Sequence, residues 1–267
     1  MKSALRKLRV LVEVWFAHNS AYRAEIVVWM LSGAVPLIML AVWIGKARVA
    51  GGSVEGFTAP DFAAYFLAAW IAQQWTVAWV AWEVSNEIRL GTFSPRLLRP
   101  LDPIWDFAAG HVTERFVRLP FMVVVVGAGL LLMPGTRLTP DAPHALAFFV
   151  CIWLAFAMRF VLAYATGLLS FWFDQATALD DFYYLIAAFL TGGFAPLSFY
   201  PPAVRAAVEW TPFPYLVYYP VRVLTQPVSG AEILRVFAMQ LLWLAAFWCI
   251  RMLLWRRGLR RYGAVGA

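Results

Sequence analysis

"LAFFVCIWLAFAMRFVLAYATGLLSF", residues 146–171, carries one charge, Arg159, and no proline. The run is apolar at odd and even positions alike, so it does not read as a barrel strand, which alternates between lipid and lumen. A helix of about 20 apolar residues spans the ~30 Å hydrocarbon core of a bilayer and satisfies its own backbone hydrogen bonds there. This stretch therefore reads as a membrane-spanning helix, and it sets the fold class for the chain around it.

Outward from it, five more runs have the same character: Ala24–Ile44, Phe62–Ala81, Phe116–Met133, Phe182–Leu197 and Ile233–Leu254. The fifth in chain order, Phe182–Leu197, is short and interrupted by Gly192-Gly193. Composition agrees: of 267 residues 63% are hydrophobic and 14% charged, against about a quarter charged in a soluble domain. The mean hydropathy is +0.70. The expectation is an all-α polytopic membrane protein with six transmembrane helices and a single membrane domain over residues 1–267. Within it lie an N-terminal amphipathic interface helix (residues 1–23), a cytoplasmic coupling region (83–115) and an extracellular or re-entrant hairpin before the last span (198–232).

Basic residues set the orientation. On one side of a six-span layout fall Lys2, Arg6, Lys7, Arg9 and Arg23, then Arg89, Arg96, Arg99, Arg115 and Arg118, then Arg251, Arg256, Arg257, Arg260 and Arg261. The other side holds Lys46, Arg48, Arg137, Arg205, Arg222 and Arg235. Positive-inside places both termini in the cytoplasm, in a multi-pass protein of the cell membrane. The net charge of +7 then reads as a topology and anionic-lipid signal, with membrane lipids rather than nucleic acid as its partner. The basic start is not followed by a short apolar run and a small-residue site, so no cleavable signal peptide is expected. On the first helix Lys2, Arg6, Arg9 and Glu13 share one face, with Leu5, Leu8, Val12 and Trp15 beside it, a pattern suited to the interface of the inner leaflet.

The search for chemistry is mostly negative. The one Gly-Lys pair, Gly45-Lys46, is followed by Ala47 and lacks the upstream glycine of a phosphate-binding loop. Cys151 and Cys249 fall near opposite membrane ends, and His18, His111 and His144 have no ligand spacing, so neither a disulfide nor a metal site is expected. Asp174, Asp180 and Asp181 form a loose acidic group that reads as solvated loop charge or contact with a basic partner. Arg159 stands mid-span, where a cation costs at least a few kcal/mol and has to face the bundle interior or a wet cavity. It either attracts an anionic substrate on a translocation path or binds backbone carbonyls, Glu25 or Glu83.

Between the second and third runs lies "EIRLGTFSPRLLRPLDPIWD", residues 87–106. Gly91 permits a turn, Thr92 or Ser94 can cap a short helix, Leu97 and Leu98 offer apolar knobs, and Arg96 and Arg99 can pair with acids on a partner. Pro100 ends the element. An interfacial loop whose arginines meet lipid headgroups would have the same composition.

The order of these residues resembles the inner loop of type-2 ABC exporter permeases, in which an acidic residue, a Gly-Thr-like pair and a Leu-Leu-x-Pro element form the coupling helix. Glu87, Gly91, Thr92, Leu97, Leu98 and Pro100 occupy those positions. Gly193, Pro196, Pro201, "TPFPY" at Thr211–Tyr215 and Tyr219-Pro220 are similar to that family's pattern before the last span. The closest likeness is to the small bacterial six-span branch, and it covers nearly the whole chain. The resemblance implies a permease subunit without enzymatic activity of its own. It implies docking of an ABC ATP-binding subunit (two copies per complex) through Glu87, Arg89, Gly91, Thr92, Phe93, Ser94, Arg96, Leu97, Leu98, Arg99 and Pro100. A second permease, identical or homologous, would complete the path. No cofactor is expected in this chain, with ATP and Mg in the partner subunit. Phe194, Pro196, Phe199, Pro201, Trp210, Phe213, Tyr215 and Tyr219 would form the outer gate. The aromatic, sparsely charged interior favours a hydrophobic or amphipathic cargo such as a drug, lipid or metabolite. The alternative is a stand-alone ion-coupled transporter or a lipid-modifying membrane enzyme.

Overall fold

The computed structural model describes residues 2–138 and 141–262, with side chains from residue 9 onward. The expectations that rest on Lys2, Leu5, Arg6, Lys7 and Leu8 in the N-terminal helix concern side chains outside the described residues. The chain is 79% helical, which settles the all-α class; among the described residues the β structure is a two-residue pair, β1 (Ser53–Val54) with β2 (Phe57–Thr58).

The helices run in chain order as α1 (Lys2–Ala21), α2 (Arg23–Ser32), α3 (Val35–Val49), α4 (Ala59–Thr76), α5 (Val80–Arg89), α6 (Ser94–Leu97), α7 (Pro103–Leu132), α8 (Ala142–Leu168), α9 (Thr177–Leu190), α10 (Pro202–Val208), α11 (Tyr218–Thr225) and α12 (Gly230–Tyr262). Their starts carry local signals. Thr58 and Asp61 make a capping box with Pro60 in the first turn of α4, and the Asp102 and Asp141 carboxylates accept from Ile104 N and His144 N to open α7 and α8.

Among the described residues four stretches are long and apolar enough to cross a membrane: Arg23–Val49, Pro103–Leu132, Ala142–Phe171 and Gly230–Tyr262. Only the third is half buried. The others present Val123, Val124, Leu131, Leu241, Leu242 and Leu253 at the surface, which in water would be an aggregation patch and in lipid is the normal outside of a helix. The protein is therefore membrane-embedded.

The two remaining expected spans take other shapes. Phe62–Ala81 is divided: α4 ends at Thr76 and α5 starts at Val80. Phe182–Leu197 is α9 as far as Leu190, then a turn in which Gly192 adopts φ 88°. A side chain on Gly192 would meet the Tyr65 hydroxyl and Tyr218 Cβ, so that turn needs a residue without one.

The division of the second run explains a charge that the sequence misassigned. The charge pattern assigns Arg115 and Arg118 to the connection between the second and third runs, but both lie inside α7, at 0% and 1% exposure. Arg115 Nε donates to Trp75 O (3.1 Å) and Nη1 to His111 O (2.6 Å), while Nη2 donates to Val77 O. The break after Thr76 frees backbone carbonyls, and a buried free carbonyl in a membrane protein needs a donor. Arg115 is that donor. Arg118 donates to Gln74 Oε1 (3.0 Å) and pairs with Glu114.

α4 is the centre of the fold, with Phe62 through Trp70 continuously buried against α3, α7, α8 and α11. Contacts define two ends. At one, His144 Nε2 donates to Val228 O (3.0 Å), so α8 and α12 begin together. At the other, Phe171 and Tyr262 meet with ring centroids 5.6 Å apart where both helices finish. Phe93 packs on the same two rings, so the residue 90–102 elbow sits at this second end.

Candidate functional site

Gly91 turns the chain out of α5 with φ 71°, a left-handed conformation that costs a Cβ-bearing residue strain. The next residues fold back at once. Phe93 N donates to Glu87 O (3.2 Å) and Thr92 Oγ1 to the same carbonyl (3.4 Å). Phe93 is fully buried between Phe171, Trp255 and Tyr262, with centroids 6.1–6.2 Å away. Phe171 in turn packs against Gly258, where an added Cβ would overlap the ring. Tyr262 and Ser94 hydroxyls bond at 3.0 Å, and the Tyr262 hydroxyl also donates to Gly91 O (3.3 Å). The expected caps are absent: α6, a single turn, has Phe93 at its N-cap without a side-chain bond, because Thr92 and Ser94 are used elsewhere.

The arginines differ from expectation too. Arg96 was expected to reach for a partner's acid. Instead its guanidinium holds Glu87 through two bonds of 2.6 Å (Nε to Oε2, Nη2 to Oε1), pairs with Asp106 through Nη1, and lies 4.1 Å over the Phe107 ring. Two-point Arg–carboxylate pairs are geometrically specific. Burial works against its charge, yet Glu87 and Asp106 outweigh that and raise its pKa above the ordinary arginine value. Arg99 Nη1 joins at Asp106 Oδ2 (2.7 Å) while its side chain stays more than half exposed. Trp15 Nε1 of α1 donates to Asp106 Oδ1 (2.9 Å). Asp106 thus ties α1, the elbow and α7 to one carboxylate. Below it Arg251 of α12 pairs with Asp102.

What remains outward is a compact face. Leu98 is 87% exposed and Leu90 68%; Arg89, Thr92, Pro95 and Pro100 are exposed beside them and Leu97 is partly buried. The elbow is an apolar knob with a basic rim on a stiff mount.

Beside the elbow a cleft of about 870 Å³ is walled by α1, α2, α5, α7 and α9, with Trp15, Tyr22, Glu25, Trp82, Glu83 and Asp181 among its lining. It shares Trp29, Trp79 and Tyr184 with a second cleft of about 350 Å³ farther from the elbow, lined by Gln73, Arg118, Arg159, Thr191, Phe194 and Leu216 among others. Arg159 does not bond to Glu25, Glu83 or backbone: Nη2 donates to Asp180 Oδ1 at 2.8 Å, and the guanidinium lies 4.2 and 4.6 Å from the Tyr183 and Tyr184 rings. Asp180, read as solvated loop charge, is buried on α9. Asp174 and Asp181 remain exposed.

Residues 30–266 match the family described as ABC-2 family transporter protein. The chain belongs to that family. No curated protein matches it. As an ABC-2 family transporter protein it is a membrane transport component of an ABC system and not itself an enzyme, and its family works in general with an ATP-binding subunit.

In this ABC-2 transporter the segment before the last helix holds three aromatic groupings, linked through Trp43 and through Tyr65 and Tyr218. Phe199 joins Trp43, Phe57 and Phe62 at 5.1–6.1 Å. Phe194 stacks on Phe189, and its carbonyl accepts from Trp43 Nε1 (2.9 Å). Tyr215 stacks on Tyr219 at 4.8 Å, with Phe213 on Tyr183 at 5.6 Å. Pro196 is buried, Pro201 exposed, and Trp210 stands 75% exposed outside all three. Gln240 of α12 donates to Tyr215 O and Cys151 O, so this segment is fastened about ten residues down α12. The sequence reading missed Asp106, Tyr262, Phe171 and Asp180. Each acts through a contact made from another helix, and only the acid-rich start of α7, "LDPIWD", hinted at the first.

Proposed function

We propose that this chain is the transmembrane subunit of an ATP-driven exporter and that its elbow docks a separate ATP-binding subunit, which supplies ATP and Mg. The chain would cross the membrane six times, with both termini and the elbow cytoplasmic. α2–α3, α4–α5, α7, α8, α9 and α12 would be the crossings. α9 at about 21 Å is shorter than the hydrocarbon core and would be completed by the Thr191–Gly193 turn. Two permease subunits, identical or homologous, and two ATP-binding subunits would form the complex, with the path between the permeases.

The observation that carries this reading is the exposed Leu98 on a mount fixed by Arg96, Glu87 and Asp106. A docking knob transmits force only if it cannot swing, and here the arginine that would have met a partner is used to prevent swinging. ATP-driven closure of the partner dimer would move the elbow. Through Phe93, Phe171 and Tyr262 that motion would reach the ends of α8 and α12 directly, shifting the pair between inward-open and outward-releasing states. The aromatic groupings before α12 would serve as the outer gate. The two apolar-walled clefts favour a hydrophobic or amphipathic cargo.

Co-purification tests this. The wild-type chain should carry an ATP-binding subunit from its native membrane, and Leu98→Asp should lose it while inserting normally. A wild-type chain isolated without such a partner would instead favour a stand-alone transporter or membrane enzyme.

A further inference from the structure

We propose that the smaller cleft receives the acid group, carboxylate or phosphate, of an amphipathic cargo at Arg159; this rests on the reading of the chain as an export permease. Arg159 is 3% exposed. Asp180 takes Nη2, while Nε and Nη1 are buried without a partner. The other two buried arginines near this cleft are used in full: Arg115 donates to three carbonyls and Arg118 to Glu114 and Gln74. A buried donor left unpaired is destabilising, and a membrane interior offers little water to supply the acceptor. Beside Asp180, Arg159 has only the Tyr183 and Tyr184 side chains against its guanidinium, and no second anion among the described residues.

The cleft has the complementary chemistry. Its charged lining residues are Arg118 and Arg159, with no carboxylate among its described lining. Gln73 and Thr191 add polar groups, and Trp29, Phe194 and Leu216 supply apolar wall. At about 350 Å³ it lies at the small end of ligand pockets, room for a head group and the first part of a tail. Of the neighbouring cleft's carboxylates, Asp180 is held by Arg159 and Glu114 by Arg115 and Arg118, Glu83 lies 2.9 Å from His111, and Glu25 and Asp181 line its walls. Because Asp180 is on α9 and Arg159 on α8, an acid arriving at Arg159 would share the contact that joins those helices, coupling occupancy to their separation.

The probe is 9,10-dibromostearate, whose bromines quench indole fluorescence, with Trp29 and Trp79 in the cleft wall as reporters. Wild-type protein in phosphatidylcholine nanodiscs should show saturable quenching by the acid and none by its methyl ester. Arg159→Met with Asp180→Asn, which removes both charges together, should weaken the acid at least ~10-fold, the weight of one charge-assisted hydrogen bond. Ala188→Trp, which fills the cleft and leaves both charges, should do the same. Competition by phosphatidylglycerol but not inorganic phosphate would assign the ligand to membrane acids, and relief by excess stearate alone to a free acid cargo. Competition by inorganic phosphate as strong as by stearate would overturn an amphipathic ligand. Saturable quenching by the ester, or unchanged affinity in both variants, would overturn the proposal. Co-purification of the ATP-binding subunit is scored on the same samples. Its absence from wild type would sink the export reading while the acid affinity is still measured.

Discussion

The elbow at residues 90–102 and the segment at 191–229 are both irregular and both marked by prolines, but different forces fasten them. The elbow is held by ions: Arg96 with Glu87 and Asp106, Arg99 with Asp106, and Arg251 with Asp102. The far segment is held mainly by ring stacking and by side chains that seek backbone oxygens, such as Tyr65 on Gly192 O, Trp43 on Phe194 O and Gln240 on Tyr215 O, with ion pairs where it meets α12, Arg222 to Glu232 and Glu209 to Arg235. The difference follows solvent. At the elbow Glu87, Arg99 and Asp102 stay partly exposed, which lowers the desolvation cost of pairing there, whereas the stray carbonyls of the far segment are met by neutral donors. A contact surface built of charges can present its remaining basic rim to a protein.

Breaking each kind of fastening should give effects of different size. The largest is at the α4–α5 break. Arg115→Met strands three buried carbonyls, while Glu114 keeps Arg118, and should cost about 3–5 kcal/mol, seen as aggregated or unfolded protein on size-exclusion chromatography in mild detergent. Next, Arg96→Ala leaves Glu87 without its cation and Asp106 with Arg99 and Trp15 alone. It should cost about 2 kcal/mol, measured as a lowered Tm, and should uncouple cargo from ATP hydrolysis even where the partner still binds. Tyr262→Phe removes one hydroxyl from Ser94 and Gly91 and should cost about 1 kcal/mol, with the ring packing on Phe93 preserved. The smallest effect on the fold is Leu98→Asp, within about 0.5 kcal/mol by Tm, although it removes the centre of the docking face. An Arg96 variant as stable as wild type would erase the contrast between the two regions; a Tyr215→Phe variant as costly as Arg96→Ala would invert it.

Much of this was legible in the sequence because it depends on local pattern. The run at 146–171 and those at the N- and C-terminal sides of it announce themselves by length, and the elbow by Gly91, Pro95 and Leu97-Leu98-Arg99-Pro100. What stayed hidden depends on pairing across distance. Phe62–Ala81 reads as one unbroken run, since nothing in "QWTVAW" ends a helix; the break is sustained by Arg115 from another helix. Arg96 shows its charge in the sequence but not that its acids lie nine and ten residues away in its own chain. Arg159 and Asp180 are separated by the turn at residues 169–176, whose path no periodicity reveals, so the sequence offers Arg159 a carbonyl, Glu25, Glu83 or a substrate anion, and Asp180 solvent or an unnamed basic partner, without joining the two.

The central claim is that this elbow meets the ATP-binding subunit on the cytoplasmic side. With Cys151 and Cys249 changed to Ser, Leu98→Cys and, separately, Trp210→Cys can be treated in membranes of the native host with a short bis-maleimide. The account predicts a cross-link from position 98 to the ATP-binding subunit and none from position 210. A Leu98→Cys chain that reacts with membrane-impermeant maleimide added outside intact cells, and gives no cross-link, would contradict it.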